Sequence, residues 1–497
     1  MKSRKRIKED KAVVIGAGLA GLAAAIRLRA KGYQVTLIEA SAHPGGKAGE
    51  LSKNGFRFDT GPSLFTLPEL VDELFVLHGK NPREYFSYQS LPYSCKYFYE
   101  DGTVINGHQD AIAFAEEVAS KTNDTKESVL KFLRYSARIY DLTSNVFIFN
   151  SLHRFKTYLT SDAFHAFFNL RKLDTFRTMN KAIRRFFKDE HTIQLFNRYA
   201  TYNGSNPYKA PATLNVIPHL EHNTGTWFPK GGIYTIPKAL ESLARHVGVR
   251  ILYNAPAKAI HTSKGKVVSV EVNDDNLPAD VVVSNVDVYK TYRHLLSEEK
   301  QPEKLLQQEK STSAIIFYWG MKARFPDVEV HNILFSTQYE KEFAAMHSGE
   351  ILDDPTVYIY VSSKVEATDA PSGQENWFVM INAPHNRGQN WDEYIAEARK
   401  NIQDKIQRTL GIAVSDYIVC EEVLDPRGIE LNTGSHLGAL YGNASNSKYA
   451  AFMRHANFSS HIEGLYFCGG SVHPGGGIPL VLASAKIVAD MIDEDNK

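Results

Sequence analysis

The sequence is poor in cysteine, in net charge and in long hydrophobic runs. Its cysteines, Cys95, Cys420 and Cys468, are odd in number and far apart, which argues against a disulfide framework and a zinc site and fits a reducing cytosol. We therefore expect no metal. No segment has the roughly 20 consecutive apolar residues of a membrane-spanning helix, so any membrane contact must be peripheral. The formal net charge of +1 does not favour nucleic acid as a partner.

Glycine, in contrast, is present at a telling spacing near the N-terminus. Apolar residues 12–15 precede Gly16, Gly18 and Gly21, and an alanine- and leucine-rich segment follows. Gly16 permits a sharp turn, Gly18 lets the backbone approach phosphates, and Gly21 lets a helix press against a strand. The pattern is typical of a βαβ unit that holds a dinucleotide pyrophosphate at a helix N-terminus.

Two further features make FAD the expected dinucleotide. Glu39 ends a second apolar segment, where its carboxylate can bind ribose hydroxyls. The pair Gly45-Gly46, followed by Lys47, is more typical of FAD proteins than of NAD dehydrogenases. We find no second fingerprint for a nicotinamide, so we expect reduced flavin to pass electrons to oxygen or a quinone rather than to NAD(P).

Dinucleotide signals lie at both ends of the chain, which predicts a discontinuous cofactor domain. Near the C-terminus, a strand at 464–468 precedes Gly469-Gly470, a glycine loop and a helix from about 479 to 493. We predict an α/β fold in which an FAD-binding Rossmann-type domain is interleaved with a mixed-sheet substrate domain and a helical, membrane-facing segment. The predicted FAD domain comprises 1–85, 227–300 and 420–497; the helical segment is 86–226, and the substrate-domain sheet and helices are 301–419.

The predicted helical segment is crowded with aromatic and basic residues between 147 and 187. One interpretation is an amphipathic patch that lies on anionic membrane and admits a lipid substrate. The other is an ordinary helical cap with an aromatic core and a solvated basic face. Composition alone favours the cap, whereas a lipid substrate would favour the membrane patch instead.

The chain resembles the bacterial phytoene-desaturase type of carotenoid desaturases. The resemblance rests on residues 59–63 (DTGPS) and 469–479 (GGSVHPGGGIP), together with 227–232, 331–333 and 353–355. It covers nearly the whole chain and implies an FAD-binding fold like that of glutathione reductase and the amine oxidases. It also implies a cytoplasmic protein, peripherally associated with the inner face of the cell membrane.

The resemblance implies an FAD-dependent oxidoreductase that inserts a C=C bond into a carotenoid by hydride transfer to flavin N5 and proton loss. Residues 61–66, 203–208 and 475–477 look most like enzymes acting late in the pathway. They imply 3,4-desaturation of a hydroxylated or γ-carotene-type substrate, with phytoene or diapophytoene desaturation as the alternative. Another flavin oxidase of this architecture and a non-catalytic isoprenoid-binding protein also stay open.

Site residues follow from the motifs and the resemblance. Candidates for the base are His473, His331 and His436, although a lone histidine is more often structural and water or a backbone carbonyl could suffice. The residues expected at FAD are Gly16, Gly18, Gly21, Glu39, Gly45, Gly46 and Lys47 at the ADP and pyrophosphate, the backbone of Ala257 and Lys258 at the adenine, Gly469, Gly470 and Ser471 at the ribityl-pyrophosphate region, and Gly477, Ile478 and Pro479 at the isoalloxazine.

Overall fold

Two sheets organise the chain, which a computed structural model describes over residues 10–160, 174, 176–446 and 453–495. Short 3-10 and π turns join many of the elements. The strands are β1 (Lys11–Ile15), β2 (Gln34–Ile38), β3 (Glu50–Lys53), β4 (Phe56–Asp59), β5 (Tyr88–Ser90), β6 (Tyr93–Phe98), β7 (Val104–His108), β8 (Trp227–Pro229), β9 (Arg250–Leu252), β10 (Ala257–Ser263), β11 (Lys266–Val272), β12 (Asp275–Pro278), β13 (Val281–Ser284), β14 (Ser313–Met321), β15 (His331–Leu334), β16 (Val357–Tyr360), β17 (Glu375–Ala383), β18 (Ile418–Leu424) and β19 (Leu465–Phe467). The α-helices are α1 (Leu19–Ala30), α2 (Glu69–Val76), α3 (Ala111–Lys121), α4 (Lys126–Thr143), α5 (Met179–Ile183), α6 (Glu190–Asn197), α7 (Ile217–His222), α8 (Thr235–His246), α9 (Val288–Lys290), α10 (Glu303–Leu306), α11 (Tyr339–Ser348), α12 (Trp391–Leu410), α13 (Pro426–Thr433) and α14 (Ile478–Asp495).

The first sheet is parallel and has the strand order β19-β13-β1-β2-β9. Its central strand is an apolar run because helices cover one face and the β10–β12 hairpins cover the other. Helix α1 is buried along nearly its whole length and packs against α8 and α14. The carboxyl ends of β1, β2, β13 and β19 therefore meet at one edge, where α/β sheets bind ligands.

The second sheet is mixed, with the order β18-β14-β17-β16-β15-β6-β7. Strands β14 and β17 pair antiparallel over nine residues each, from Ser313 opposite Ala383 to Met321 opposite Glu375. One face packs under α12 through Trp391, Ala398 and Ile402. The other face is turned to the interior cavity described below.

Three strands, β5, β6 and β7, lie where the residue pattern predicted only helices. Strands β6 and β7 belong to the second sheet, where β6 pairs in parallel with β15. This partner is far away in the sequence, so no local periodicity reveals the pairing, and the aromatic residues of β6 resemble a helix face. Strand β18 also joins this sheet, through β14, although it crosses the boundary predicted at residue 420.

The helices of the predicted helical segment share an aromatic core. Phe114, Phe132, Phe187 and Phe196 are buried there beside β6. Phe155 and Phe176, in contrast, are 78% and 89% exposed. Residues 164, 167, 168, 171 and 172, which belong to the predicted aromatic and basic patch, lie outside the described residues. Among the helices that the structure describes, none is both long and apolar enough to cross a bilayer.

Candidate functional site

A single continuous cavity of about 1870 Å³ runs between the two sheets. Its lining begins at Glu39 and the glycines after β1, passes the C-terminal glycine loop, and ends among aromatic and aliphatic residues of the second sheet. Most small-molecule sites occupy roughly 300–1,000 Å³. The cavity is therefore large enough for a dinucleotide and a second, elongated ligand.

The first glycines form a surface that any side chain would fill. A Cβ at Gly21 would lie 1.9 Å from the carbonyl oxygen of Gly16, and a Cβ at Gly18 would lie 2.8 Å from Asn285 Nδ2. Gly16 itself has a φ of +96°, which favours glycine. Helix α1 begins at Leu19, so its N-terminus faces the cavity beside Gly18. This is the geometry that binds a pyrophosphate.

Glu39 lies at the end of β2, beside that turn. Its Oε2 accepts the backbone N–H of Ala17 at 2.7 Å, and its Oε1 accepts the N–H of Ser41 at 2.9 Å. The carboxylate is thereby held at the rim of the cavity. A carboxylate in this position can bind ribose hydroxyls.

The second glycine pair packs directly on the first turn. The N–H of Gly45 donates to the carbonyl of Ala17 at 2.9 Å, and a Cβ at Gly46 would lie 3.4 Å from Gly18 Cα. Lys47 lines the cavity, but its ammonium donates to the carbonyl of Leu440 at 2.6 Å. Burial lowers the pKa of Lys47 to about 8, against the attraction of Asp287.

The C-terminal glycine loop closes the same edge of the sheet. Gly469 donates to Ser484 Oγ at 2.8 Å, and the hydroxyl of Ser471 accepts the N–H of Val288 at 3.1 Å. The loop leads into α14 at Ile478. The predicted residues of this loop that line the cavity are Gly469, Gly470, Ser471, Gly477, Ile478 and Pro479.

At the end of the cavity predicted for the adenine, the two predicted residues have different surroundings. Ala257 lines the cavity together with Ala255 and Pro256. The side chain of Lys258 instead pairs with Asp274 at 3.2 Å, on the exposed hairpin, and Lys258 is not among the residues that line the cavity.

Sequence reasoning missed Asn285 and Asp287, which follow β13. Asn285 contacts the first glycine turn and would collide with a Cβ at Gly469. Asp287 lines the cavity, and burial raises the pKa of its carboxyl, opposed by Lys47 and Lys310. Both residues follow the carboxyl end of a strand that pairs in parallel with β1, and this position indicates that they lie near the glycine turn.

The three candidate histidines occupy different surroundings. His331 lines the cavity. His473 is buried behind Pro474, where its Nε2 binds the carbonyl of Asn150 at 2.9 Å. His436 stacks on Tyr289 at 3.4 Å, outside the large cavity. Burial lowers the pKa of His331 and His473 to about 3 and that of His436 to about 4, so all three are neutral at pH 7.

The part of the cavity at the second sheet is mostly apolar. Ser94, Asn382 and Glu422 of this sheet line it, and two further sets of polar side chains form hydrogen-bonded clusters. Ser63 and His331 both bind the hydroxyl of Tyr358, at 2.7 Å each. Arg198 pairs with Glu221 at 2.7 Å. The apolar lining residues there include Leu214, Leu220, Ile316, Ile333, Tyr318, Phe378 and Met380.

The buried Arg198–Glu221 pair is fully hydrogen-bonded at the carboxylate. Tyr199 and Tyr202 donate to its two oxygens at 2.8 and 2.7 Å. Burial alone would raise the pKa of Glu221, but Arg198 and these hydroxyls hold it at about 2. The carboxylate is therefore charged at pH 7 and unsuited to receive a proton.

Comparison with known proteins agrees with this geometry. Residues 19–493 match the family model described as flavin containing amine oxidoreductase. The chain is 47% identical to a 1-hydroxycarotenoid 3,4-desaturase of Flavobacterium sp. strain P99-3, over 98% of this chain and 99% of the relative. It is 34% identical to a 4,4'-diapolycopene oxygenase of Methylomonas sp., over 98% of each.

Solved structures show the same fold at low sequence identity. Putrescine oxidase bound to putrescine superposes with a TM-score of 0.63 at 15% identity, over 98% of this chain and 99% of that one. Cyclohexylamine oxidase from Brevibacterium oxydans gives a TM-score of 0.61 at 14% identity, over 99% and 100%.

Proposed function

Because the chain belongs to the family of flavin-containing amine oxidoreductases, we propose that it uses its FAD to desaturate a carotenoid. The proposal is supported by the relative named as a 1-hydroxycarotenoid 3,4-desaturase, which is 47% identical over 98% of this chain. The shape of the cavity also supports this proposal. The cavity joins a glycine-lined dinucleotide site to an apolar chamber without an intervening wall of protein.

The residues at the edge of the first sheet fit FAD. We assign the pyrophosphate to the turns of Gly16, Gly18 and Gly46, and the ribose hydroxyls to Glu39. The N-terminus of α14 at Ile478 borders the cavity, where it favours negative charge by about 0.3–1 kcal/mol. Bound FAD supplies the hydride acceptor that no side chain can provide.

The second sheet and the helices above it hold the substrate. A carotenoid is long, apolar and without groups for tight polar contacts along its chain, so its position must come from the shape of an apolar cavity. Tyr318, Phe378 and Met380 from adjacent strands, facing Leu214 and Leu220, provide such walls. His331 is neutral and reaches this space, so it is the candidate among the three histidines that can contact the substrate.

We propose that the oxidised bond is C3–C4 of a hydroxylated or γ-carotene-type end group. The test is product analysis in two hosts, one accumulating phytoene and one accumulating 1-hydroxy-γ-carotene, with the same hosts lacking the gene as controls. We expect loss of two hydrogens and a red shift in the second host. Coloured product from phytoene instead would make the protein a phytoene desaturase. Bound flavin without a product in either host would contradict the carotenoid assignment.

We further propose peripheral attachment to the membrane through the residues around Phe155 and Phe176. Both are exposed aromatic residues, and Arg185 and Lys188 are exposed cations of the same segment. Aromatic side chains beside cations are suited to an anionic lipid surface. The exposed Arg184 contributes less than its charge indicates because it binds Glu190 through two hydrogen bonds of 2.7 and 2.8 Å.

For the electron acceptor, we propose oxygen or a quinone. The described residues contain one strand–glycine turn–helix unit of the dinucleotide type, and FAD occupies it in our assignment. Reduced enzyme mixed anaerobically with NAD(P)+ should stay reduced, whereas oxygen or a soluble quinone should restore the oxidised flavin spectrum. Rapid reoxidation by NAD(P)+ would contradict this assignment.

A further inference from the structure

Three polar side chains form a hydrogen-bonded row within the apolar part of the cavity. The hydroxyl of Tyr358 lies 2.7 Å from Ser63 Oγ and 2.7 Å from His331 Nδ1. All three residues line the cavity. His331 is 2% exposed, and its Nε2 has no hydrogen-bond partner within the described part of the chain.

The row can present either a donor or an acceptor to a ligand. Burial keeps His331 neutral, with a pKa of about 3, so one ring nitrogen carries hydrogen and the other accepts. If Tyr358 donates to Nδ1, Nε2 donates towards the ligand. If Nδ1 donates to Tyr358, the tyrosine donates to Ser63 and Nε2 accepts. A hydroxyl group satisfies both arrangements because it can donate and accept.

The neighbouring polar set lacks this freedom, because its one unpartnered nitrogen among the described residues, Arg198 Nε, is shielded from the cavity. In the Arg198–Glu221 pair, both carboxylate oxygens already accept hydrogen bonds, and the Tyr202 hydroxyl binds both Arg198 and Glu221. A purely hydrocarbon ligand would leave Nε2 of His331 unsatisfied, and buried polar atoms without partners are costly. The cavity is therefore built for a ligand with one polar group at this point.

One member of the row, Ser63, is connected to the predicted cofactor end of the cavity through its own segment of the chain. Ser63 is two residues from Gly61, whose Cβ, if present, would lie 1.9 Å from the carbonyl oxygen of Lys47. Lys47 follows Gly46, which packs on Gly18. In a 1-hydroxycarotenoid, one carbon separates the hydroxylated C1 from C3 of the oxidised bond. A hydroxyl-binding group must then lie close to the flavin, as we infer for this row.

We propose that Ser63, Tyr358 and His331 form a subsite for the hydroxyl group at the end of the carotenoid, with His331 in contact and Tyr358 and Ser63 positioning it. The subsite selects hydroxylated over non-hydroxylated ends and sets the register of the chain along the cavity. This inference rests on the proposed function.

The test compares two carotenoids that share one polyene and differ in the end-group hydroxyl. The holoenzyme and the variants His331→Phe, His331→Gln and Tyr358→Phe are assayed for kcat, KM and binding, the last by perturbation of the flavin absorbance. Tyr360→Phe is the matched control. Tyr360 is the next tyrosine of β16, and its hydroxyl binds Asp59 at 3.2 Å outside the cavity lining.

We expect His331→Phe to raise KM for the hydroxylated carotenoid by roughly tenfold to hundredfold, the range for one hydrogen bond lost from a buried site. KM for the other carotenoid should stay unchanged. Tyr358→Phe should have a smaller effect of the same kind, and His331→Gln should recover part of the discrimination. The control should match wild type.

Two results would overturn the subsite. In one, kcat falls equally for both carotenoids with KM unchanged, which would make His331 part of the chemistry. In the other, wild type and His331→Phe discriminate equally. If wild type converts neither carotenoid, the proposed function fails instead. Binding then decides the subsite alone, and equal wild-type affinity for the two carotenoids would overturn it.

Discussion

At Gly18 and Gly21, the space of a single methyl group decides whether a phosphate can approach the backbone. A side chain at position 21 would place its Cβ against the backbone carbonyl of Gly16, which cannot move without shifting the turn. A side chain at position 18 would place its Cβ against the side chain of Asn285, which can move. Substitution of Gly21 should therefore destabilise the fold. Substitution of Gly18 should instead disturb the cofactor site while the fold stays intact.

Gly18→Val should give a folded protein without flavin. The branched side chain would project from the turn that we assign to the pyrophosphate, and Gly18 has an ordinary φ of −66°, which valine can adopt. The ratio of absorbance at 450 nm to that at 280 nm reports flavin content, and circular dichroism reports folding. Ala413→Val, at an exposed loop position, is the control. A Gly18→Val protein with full flavin would contradict the assignment of the turn.

The buried Arg198–Glu221 pair predicts how stability depends on pH. The pKa of Glu221 is about 2 in the folded protein and about 4.3 when unfolded. The contribution of Glu221 to the free energy of unfolding is therefore fully present above pH 4.3 and is lost as pH falls towards 2.

Glu221→Gln should flatten the decline of unfolding free energy between pH 4.3 and 2. It should also destabilise the protein at pH 7 by about 3–5 kcal/mol, because Arg198 would stay buried and unpaired. Chemical denaturation at a series of pH values measures both effects. The same slope in both proteins would show that Glu221 titrates normally.

At the scale of elements, one arginine binds the loops around the C-terminal glycines through hydrogen bonds. Arg454 is buried, and its guanidinium donates to the carbonyls of Tyr441 and Gly470 at 3.0 and 3.2 Å and to Asn203 Oδ1 at 3.2 Å. Burial lowers its pKa to about 10, so it remains charged at pH 7. Three separate segments are held by one planar group.

Arg454→Lys should therefore loosen the glycine loop while keeping the charge, because an ammonium cannot reproduce the planar fork of donors. We expect faster flavin release on dilution and a lower melting temperature. Arg427→Lys, at an exposed arginine that pairs with Asp392 at 2.7 Å, should change neither. Unaltered flavin release from Arg454→Lys would mean that the loop holds its shape without the fork.

Elements formed by local sequence were predictable, and those formed by distant pairing were not. Strand β19 was predicted within one residue of each observed end and helix α14 within two, because hydrophobic periodicity and glycine turns act locally. The α/β fold and the FAD cofactor are likewise confirmed. The place of β6 beside β15 depends on residues far apart in the sequence.

The same distinction separates the parts of the candidate site. The glycine turns can be predicted from the spacing of the glycines in the sequence. Asn285 belongs to no motif, and it lies beside these turns because β13 pairs with β1. Ser63, Tyr358 and His331 come from three separate segments. Sequence alone singled out His331 as a candidate base, and only the fold places its ring against a tyrosine hydroxyl.

At the scale of the whole molecule, the exposed apolar residues predict how the protein meets a membrane. Phe155 and Leu159 are 78% and 59% exposed and lie on one short helical turn. Replacing both with serine should lower the partition coefficient onto anionic liposomes by at least tenfold, since burying one aromatic or aliphatic side chain contributes about 1.5–3 kcal/mol. Val419→Ser, on strand β18 and 50% exposed, is the control. Undiminished cosedimentation would assign membrane binding to another surface.

The strand order β19-β13-β1-β2-β9 also has a consequence for biosynthesis. Strand β1 leaves the ribosome early, but its neighbour β13 and the outer strand β19 are translated much later. At about 5–20 residues per second, roughly 20–90 s separate the synthesis of β1 from that of β19. Strand β2 can pair with β1 soon after both are made, but β13 and the glycine loop after β19 complete the edge around the first turn only late in this interval. Flavin capture is thus a late event in the life of each new polypeptide.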